Sequence, residues 1–175
     1  MCMRAGDTIV AVATPAGRSV RAMIRISGAA TREVLAGVLE ESQHGFERGV
    51  RVSRLGLGGG LSVPVLVATF RCPESYTGED SAEIVLAGNP SLVERVVSRL
   101  AAIDGVRAAG PGEFTARAYL NDRMTLDQAE GIAAMIAAES EEQLAAARGL
   151  AEGSTGGVYR AWAEEMATLL AHYLD

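Results

Sequence analysis

The sequence predicts an α+β fold: a small mixed sheet with helices over roughly 1–115, followed from 116 to 175 by the beginning of an all-α helical domain. Three observations carry this. Short β-branched apolar runs recur through the first two-thirds of the chain, stretches with apolar residues at helical spacing lie between them, and from Gly110 onward the composition turns to Ala, Glu and Leu without a strand signal.

The elements follow in order. Thr8 to Ala13 (TIVAVA) reads as a buried strand, and Ala22 to Ile26 as a second, closed by Ser27-Gly28. Between them lies the turn-rich loop Thr14-Pro15-Ala16-Gly17-Arg18-Ser19. Val34, Leu35, Val38 and Leu39 make 31–39 a short amphipathic helix. Val50 to Leu57 and Ser62 to Phe70 pair as a hairpin about Gly58-Gly59-Gly60, and Pro64 hints at an edge position or a later strand start. Ser81 to Leu86 is the next strand. Asn89-Pro90 then reads as a helix N-cap with proline at the first helical position, and Asp104-Gly105 as the end of that helix. Val106 to Ala109 is the last strand. Thr125 with Gln128 forms a capping box before a long apolar-periodic helix, interrupted at 153–157, and a further helix spans 158–174. The chain stops inside that helix with no C-cap signal, which reads as a truncation.

Composition excludes several functions. No apolar run approaches the ~20 residues of a spanning helix, and the first residues lack a secretion-signal pattern, so a cytoplasmic location is the expectation. Cys2 and Cys72 suggest no disulfide framework, and Cys72 reads as a small buried hydrophobe. With only His44 and His172 beside them, no metal-ligand set forms. A net charge of −6 argues against a general nucleic-acid binder. All 16 basic residues are arginine. The absent lysine removes the Walker A loop and the Schiff-base amine, so this chain alone is expected neither to bind GTP nor to hydrolyse a nucleotide.

Some segments exceed what folding requires. Arg25 lies between Ile24 and Ile26 in a strand and therefore faces away from them. It is either an exposed or salt-bridged structural residue, or a planar fork for a carboxylate or heterocycle edge. Glu83 sits likewise between Ala82 and Ile84, after the acid-rich loop Glu74-Ser75-Tyr76-Thr77-Gly78-Glu79-Asp80. It is either a solvent-facing acid or an acceptor for the adjacent amino and ring N–H groups of a pterin. Gly110-Pro111-Gly112, leading into a helix, could turn backbone N–H groups toward an anion.

Taken together, the stretches 7–18 (DTIVAVATPAGR), 24–28 (IRISG), 75–84 (SYTGEDSAEI), 110–121 (GPGEFTARAYLN) and 126–132 (LDQAEGI) resemble the amino-terminal region of the tRNA-modification GTPase family known as MnmE or TrmE. The resemblance implies a domain like the folate-binding domain of the glycine-cleavage T protein, which binds a one-carbon tetrahydrofolate (5-formyl- or 5,10-methylene-tetrahydrofolate) and forms a homodimer. It also implies a helical domain interrupted by a GTPase domain, and a flavoprotein partner, MnmG, for modification of the wobble uridine of tRNA. Carried over, Arg25, Glu83, Asn121 and Arg123 match folate-contacting positions. The sequence departs from the family pattern at Ser19-Val20, at 85–90 and at Arg123, which replaces a lysine. Neither the GTPase insert nor the family's cysteine motif lies within 1–175. The competing expectation is a non-enzymatic scaffold that keeps the fold and dimer contact without ligand. The apolar residues Ile132, Ile136, Leu144, Trp162, Met166, Leu169 and Leu170 imply a partner for the helical part.

Overall fold

Alternation of branched apolar and polar residues builds a six-stranded sheet in the order β3-β4-β5-β2-β1-β6. Its strands are β1 (Thr8–Val12), β2 (Arg21–Ser27), β3 (Gly49–Gly58), β4 (Leu61–Phe70), β5 (Ser81–Ala87) and β6 (Val106–Ala108). The computed structural model describes residues 6–40, 46–153 and 162–166. Every neighbouring pair is antiparallel except β1 with β6, so the sheet is mixed, and helices α1 (Thr31–Val38) and α2 (Pro90–Ala101) complete the α+β architecture. The expected strands and the first two helices are present within a few residues of their predicted limits.

Directly opposed residues share a face of a sheet. Ile24 and Ile26 of β2 therefore lie with Val10 of β1 and with Ala82 and Ile84 of β5, all at most 1 % exposed. Val34, Leu35 and Val38 of α1 and Val96 and Leu100 of α2 close this core from above. The opposite face carries Arg25 and Glu83, which are register partners.

Local chemistry fixes the connections. Asn89 accepts from the Leu92 amide and Pro90 opens α2, as the sequence indicates. Gly58, Gly59 and Gly60 all take positive φ at the β3–β4 tip, a backbone conformation that favours glycine. Pro64 falls where β4 extends past β5 and has β3 alone as a neighbour, so its missing N–H interrupts no second ladder. The altered segment 85–90 continues β5 to Ala87. Gly88 then lies so close to Ser19 that an added Cβ would meet its backbone oxygen at 2.4 Å.

Two compact units result, Met1–Asn121 and Asp122–Asp175. The division falls after α3 (Glu113–Leu120). In the second unit the single long helix expected after Thr125 is instead two, α4 (Leu126–Ala137) and α5 (Glu141–Ala151). Ser140 caps α5 through the Gln143 amide, and Gly131 of α4 lets the α5 backbone approach to where a Cβ would sit 2.3 Å from the Ala151 nitrogen. The interruption lies in this tight antiparallel pairing, so the apolar periodicity continued through a break. Ile136, Leu144, Trp162 and Met166 are exposed, whereas Ile132 is half-buried. Leu169, Leu170 and most of the helix expected over 158–174 lie outside the described residues. Among the described residues no helix is long and apolar enough to cross a membrane.

Cys72 is not the buried hydrophobe expected. It stands half-exposed at the start of the β4–β5 loop. Its place on the loop rim, rather than in the core-facing strand, explains the difference. Cys2 lies outside the described residues.

Gly28 marks the joint on which the second face depends. Its φ is +133°, and a Cβ there would sit 2.7 Å from the Asp7 carbonyl and Thr8 Cα. Gly28→Ala is expected to lower stability by about 1–3 kcal/mol through strain and backbone displacement, read as a shift in urea midpoint. An unchanged midpoint would show that β1 and β2 can separate freely at this point.

Candidate functional site

Arg25 and Glu83 find each other across β2 and β5. Arg25 donates from Nε at 3.0 Å and from Nη2 at 2.7 Å, both to Glu83 Oε1. Their side chains are 30 % and 22 % exposed, so the pair is largely withdrawn from water. Among the described residues nothing donates to Glu83 Oε2, which leaves one carboxylate oxygen available as an acceptor.

Aromatic rings flank the guanidinium. Tyr76, from the β4–β5 loop, places its ring centroid 5.5 Å from Arg25 Cζ, and Phe114 of α3 places its own at 5.8 Å. Both distances suit cation–π attraction. The Tyr76 hydroxyl lies 3.0 Å from Thr115 Oγ1, joining loop to helix above the pair. A cavity of about 90 Å³ opens between Arg25, Phe70, Tyr76, Thr77, Ser81 and Glu83.

Beside this pair lies a buried ionic network that the sequence reading did not single out. Arg117 of α3 is only 5 % exposed and Glu79 3 %. Arg117 Nη1 donates to both Glu79 oxygens at 3.2 Å and to the Asp7 carbonyl at 3.0 Å. Its Nη2 reaches Asp7 Oδ1 at 2.8 Å and Glu113 Oε1 at 3.1 Å. Arg107 bridges the same Asp7 and Glu113 from the solvent side. Ser27 donates to Glu79 Oε2 at 2.7 Å and lies 2.6 Å from Thr77 Oγ1.

Protonation follows from these contacts. Hydrogen bonds from Arg107, chiefly, and from the Gly110 amide and Arg117 hold the Glu113 carboxyl down to about 2 against the opposing cost of burial. Asp7 is lowered by its Arg107 hydrogen bond first, with burial opposing and Arg117 assisting. Burial pushes the Arg117 pKa down, but Glu79, Glu113 and Asp7 together outweigh it and the net shift is upward.

The sequence candidates are placed as follows. Arg25 and Glu83 are brought together. Asn121, at the C-cap of α3, donates from Nδ2 to the Thr77 carbonyl at 2.7 Å and so ties the helix end to the loop. Arg123 is exposed and belongs to the second unit. The anion expected at the Gly110-Pro111-Gly112 turn is internal: the Gly110 amide donates to Glu113 Oε2 at 2.8 Å. Glu113 and Arg117 stand four residues apart on one helix face, a signal the sequence offered. Asp7 and Arg107 are a hundred residues apart and gave none.

A family model described as GTP-binding protein TrmE N-terminus matches residues 8–123, a span that contains the aromatic roof, the Arg25–Glu83 pair and every network residue but Asp7. The chain belongs to the TrmE N-terminal family. It is 45% identical over 151 residues to the tRNA modification GTPase MnmE of Opitutus terrae, covering 86% of this chain and 33% of that protein. Identity is 41% over 167 residues to the MnmE of Gluconacetobacter diazotrophicus, covering 94% and 38%, and 37% over 177 residues to that of Thermus thermophilus, covering 97% and 40%. The chain thus spans between a third and two-fifths of the length of these curated relatives. Within the TrmE N-terminal span, the matched motifs of the sequence converge on one place: the strand residues of 24–28, the loop of 75–84 and the helix of 113–121 all meet at the Arg25–Glu83 pair or at the network beside it.

The depressed carboxyls set an acid limit. Because Glu113 falls from 4.5 to about 2 in the folded state, and Asp7 is shifted the same way, their stabilising contribution is full above the unfolded value and is lost as pH falls toward 2. Urea unfolding from pH 6 to 2 is expected to show a decline through this window that flattens in Glu113→Gln. An equally steep decline in that variant would place the acid sensitivity elsewhere.

Proposed function

We propose that this chain binds a one-carbon tetrahydrofolate at the Arg25–Glu83 pair, as the amino-terminal part of an enzyme that modifies the wobble uridine of tRNA. The observation that carries the reading is the half-buried carboxylate with one unengaged oxygen, set beside a guanidinium and under two aromatic rings. A pterin presents an amino group and ring N–H as paired donors beside a carbonyl acceptor, and it is flat. Glu83 suits the donors, Arg25 suits the acceptor, and Tyr76 or Phe114 suits a ring face. The cavity of about 90 Å³ is smaller than a bicyclic heterocycle, so on this reading the ligand enters by opening the ion pair.

The folate, when bound, supplies the one-carbon unit. The chain's own residues bind and orient it. The names of the relatives support the wider role: they are tRNA modification GTPases, and this chain would contribute the folate module while nucleotide hydrolysis and the MnmG-like flavoprotein partner belong to the parent enzyme.

A homodimer is part of the same reading. The face bearing Arg25 and Glu83 continues into Met23, Val85, Leu66 and Val52 along the next row of the sheet. Val52 is 74% exposed and Val50 67%, and Val20, which lines a groove with Val52, is 91% exposed. An open apolar sheet face of this kind is what a second copy would cover.

Calorimetric titration with 5-formyltetrahydrofolate tests the ligand: saturable binding is expected in the parent protein and its loss in both Arg25→Ala and Glu83→Gln, each checked for folding by circular dichroism. A well-folded parent protein that takes up no folate would leave the scaffold reading in its place. For the dimer, sedimentation is expected to give a two-copy species that Val52→Asp converts to monomer. A monodisperse monomer before mutation would remove this part of the reading.

A further inference from the structure

Every side chain that roofs Arg25 is held by a neighbour belonging to the buried ionic network. In the β4–β5 loop, exposure alternates sharply: Ser75 is 6%, Tyr76 40% and Thr77 1% exposed. The flanking residues are tied inward. Ser75 Oγ donates to the Glu79 carbonyl at 2.6 Å, Thr77 Oγ1 meets Ser27 at 2.6 Å, and the Thr77 carbonyl accepts from Asn121. Tyr76 between them is left to turn the other way, over the guanidinium. In α3, Glu113 and Arg117 face the network from consecutive turns, and Phe114, next to Glu113, faces Arg25.

The anchor common to both segments is the Glu79–Arg117 pair. Glu79 fastens the loop, Arg117 fastens the helix, and Ser27 fastens Glu79 to the strand that also carries Arg25. Among the described residues Arg117 is the cation paired with Glu79, so neutralising Arg117 leaves Glu79 buried without a counter-charge, whereas neutralising Glu79 leaves Arg117 held by Asp7 and Glu113 alone and frees the loop from the helix. We propose that Glu79 and Arg117 are positioning residues, whose buried pair sets the Tyr76–Phe114 roof over Arg25 and so keeps the Arg25–Glu83 pair aligned for its ligand. Neither touches that ligand. The inference about the roof concerns residues of this chain alone. Its consequence for affinity rests on the folate reading above.

The test is solvent exchange of the Arg25 Nε–H, measured by NMR on the intact chain without ligand. Glu79→Gln preserves shape and the Ser27 hydrogen bond but removes the charge, and is expected to speed exchange ~10-fold. Should that variant fail to fold, Ser27→Ala decides, because it loosens Glu79 while leaving its charge pair intact; a ~3-fold increase is expected. In a Tyr76→Ala/Phe114→Ala background either substitution is expected to add nothing further, since both rings it acts through are already gone. Unchanged exchange in the folded variants overturns the proposal. So does an undiminished increase in the Tyr76→Ala/Phe114→Ala background, which marks a general loss of stability rather than positioning. Titration of the same proteins with 5-formyltetrahydrofolate then separates the two readings. A matching ~10-fold weakening in Glu79→Gln supports both, whereas a parent protein that ignores folate but shows the exchange pattern keeps the positioning role and removes the folate.

Discussion

A guanidinium taken almost wholly out of water organises one side of this sheet. Arg117 meets three carboxylates and a backbone carbonyl, and each comes from a different part of the chain: Asp7 before β1, Glu79 in the β4–β5 loop, and Glu113 one turn earlier in α3. Burying such a charge is costly unless its donors are satisfied, and here both terminal nitrogens are. The arrangement is therefore close to all-or-none. Loss of one partner exposes the desolvation cost of the others, so the strand start, the loop and the helix hold one another in place. Arg107 adds to this from the rim, where its hydrogen bonds are the main cause of the lowered Asp7 and Glu113 carboxyls although water screens part of their worth to stability.

The two faces of the sheet are held by different physics. On the side of α1 and α2 the contacts are apolar and non-directional, among Ile24, Ile26, Val67, Ile84, Val96 and Leu100. Such a core specifies a layer but tolerates small shifts within it. On the other side the hydrogen bonds of Ser27, Thr77, Glu79 and Arg117 are directional and buried, and they fix the position of particular atoms. Residues 24 to 27 serve both at once. Ile24 and Ile26 point into the apolar layer, and Arg25 and Ser27 point into the polar one. A two-residue repeat thus couples a stable scaffold to a precisely oriented pair.

That division also explains what could be read in the sequence. Strands made of β-branched runs, the Asn89-Pro90 start of α2 and the Thr125–Gln128 capping box are local signals, and local signals survive without knowledge of the rest of the chain. Arg25 and Glu83 were visible because an ionisable residue between two apolar strand neighbours must face away from the core. That they would face each other was not, since register between β2 and β5 depends on residues far apart. The break at 138–140 was hidden by an Ala- and Glu-rich composition that suits a helix on either side. The buried Glu79–Arg117 pair was hidden for a deeper reason: its members look like ordinary surface charges until the fold encloses them.

On the folate reading, the resting ion pair itself acts as a filter. A ligand that offers Glu83 only donors separates it from Arg25 and leaves the guanidinium half-buried without a partner. One that offers Arg25 only an acceptor leaves the carboxylate in the same position. Either way the unpaired group keeps its desolvation cost, and binding weakens accordingly. Only a ligand presenting donors and an acceptor along one edge replaces both halves of the bond it breaks. The aromatic rings then restrict that edge to a flat ring system, because a bulky substituent would have to displace Tyr76 from Thr115 and, through the loop, strain the anchor at Glu79. Selection for a pterin-like edge would arise here without any group dedicated to recognising the one-carbon unit.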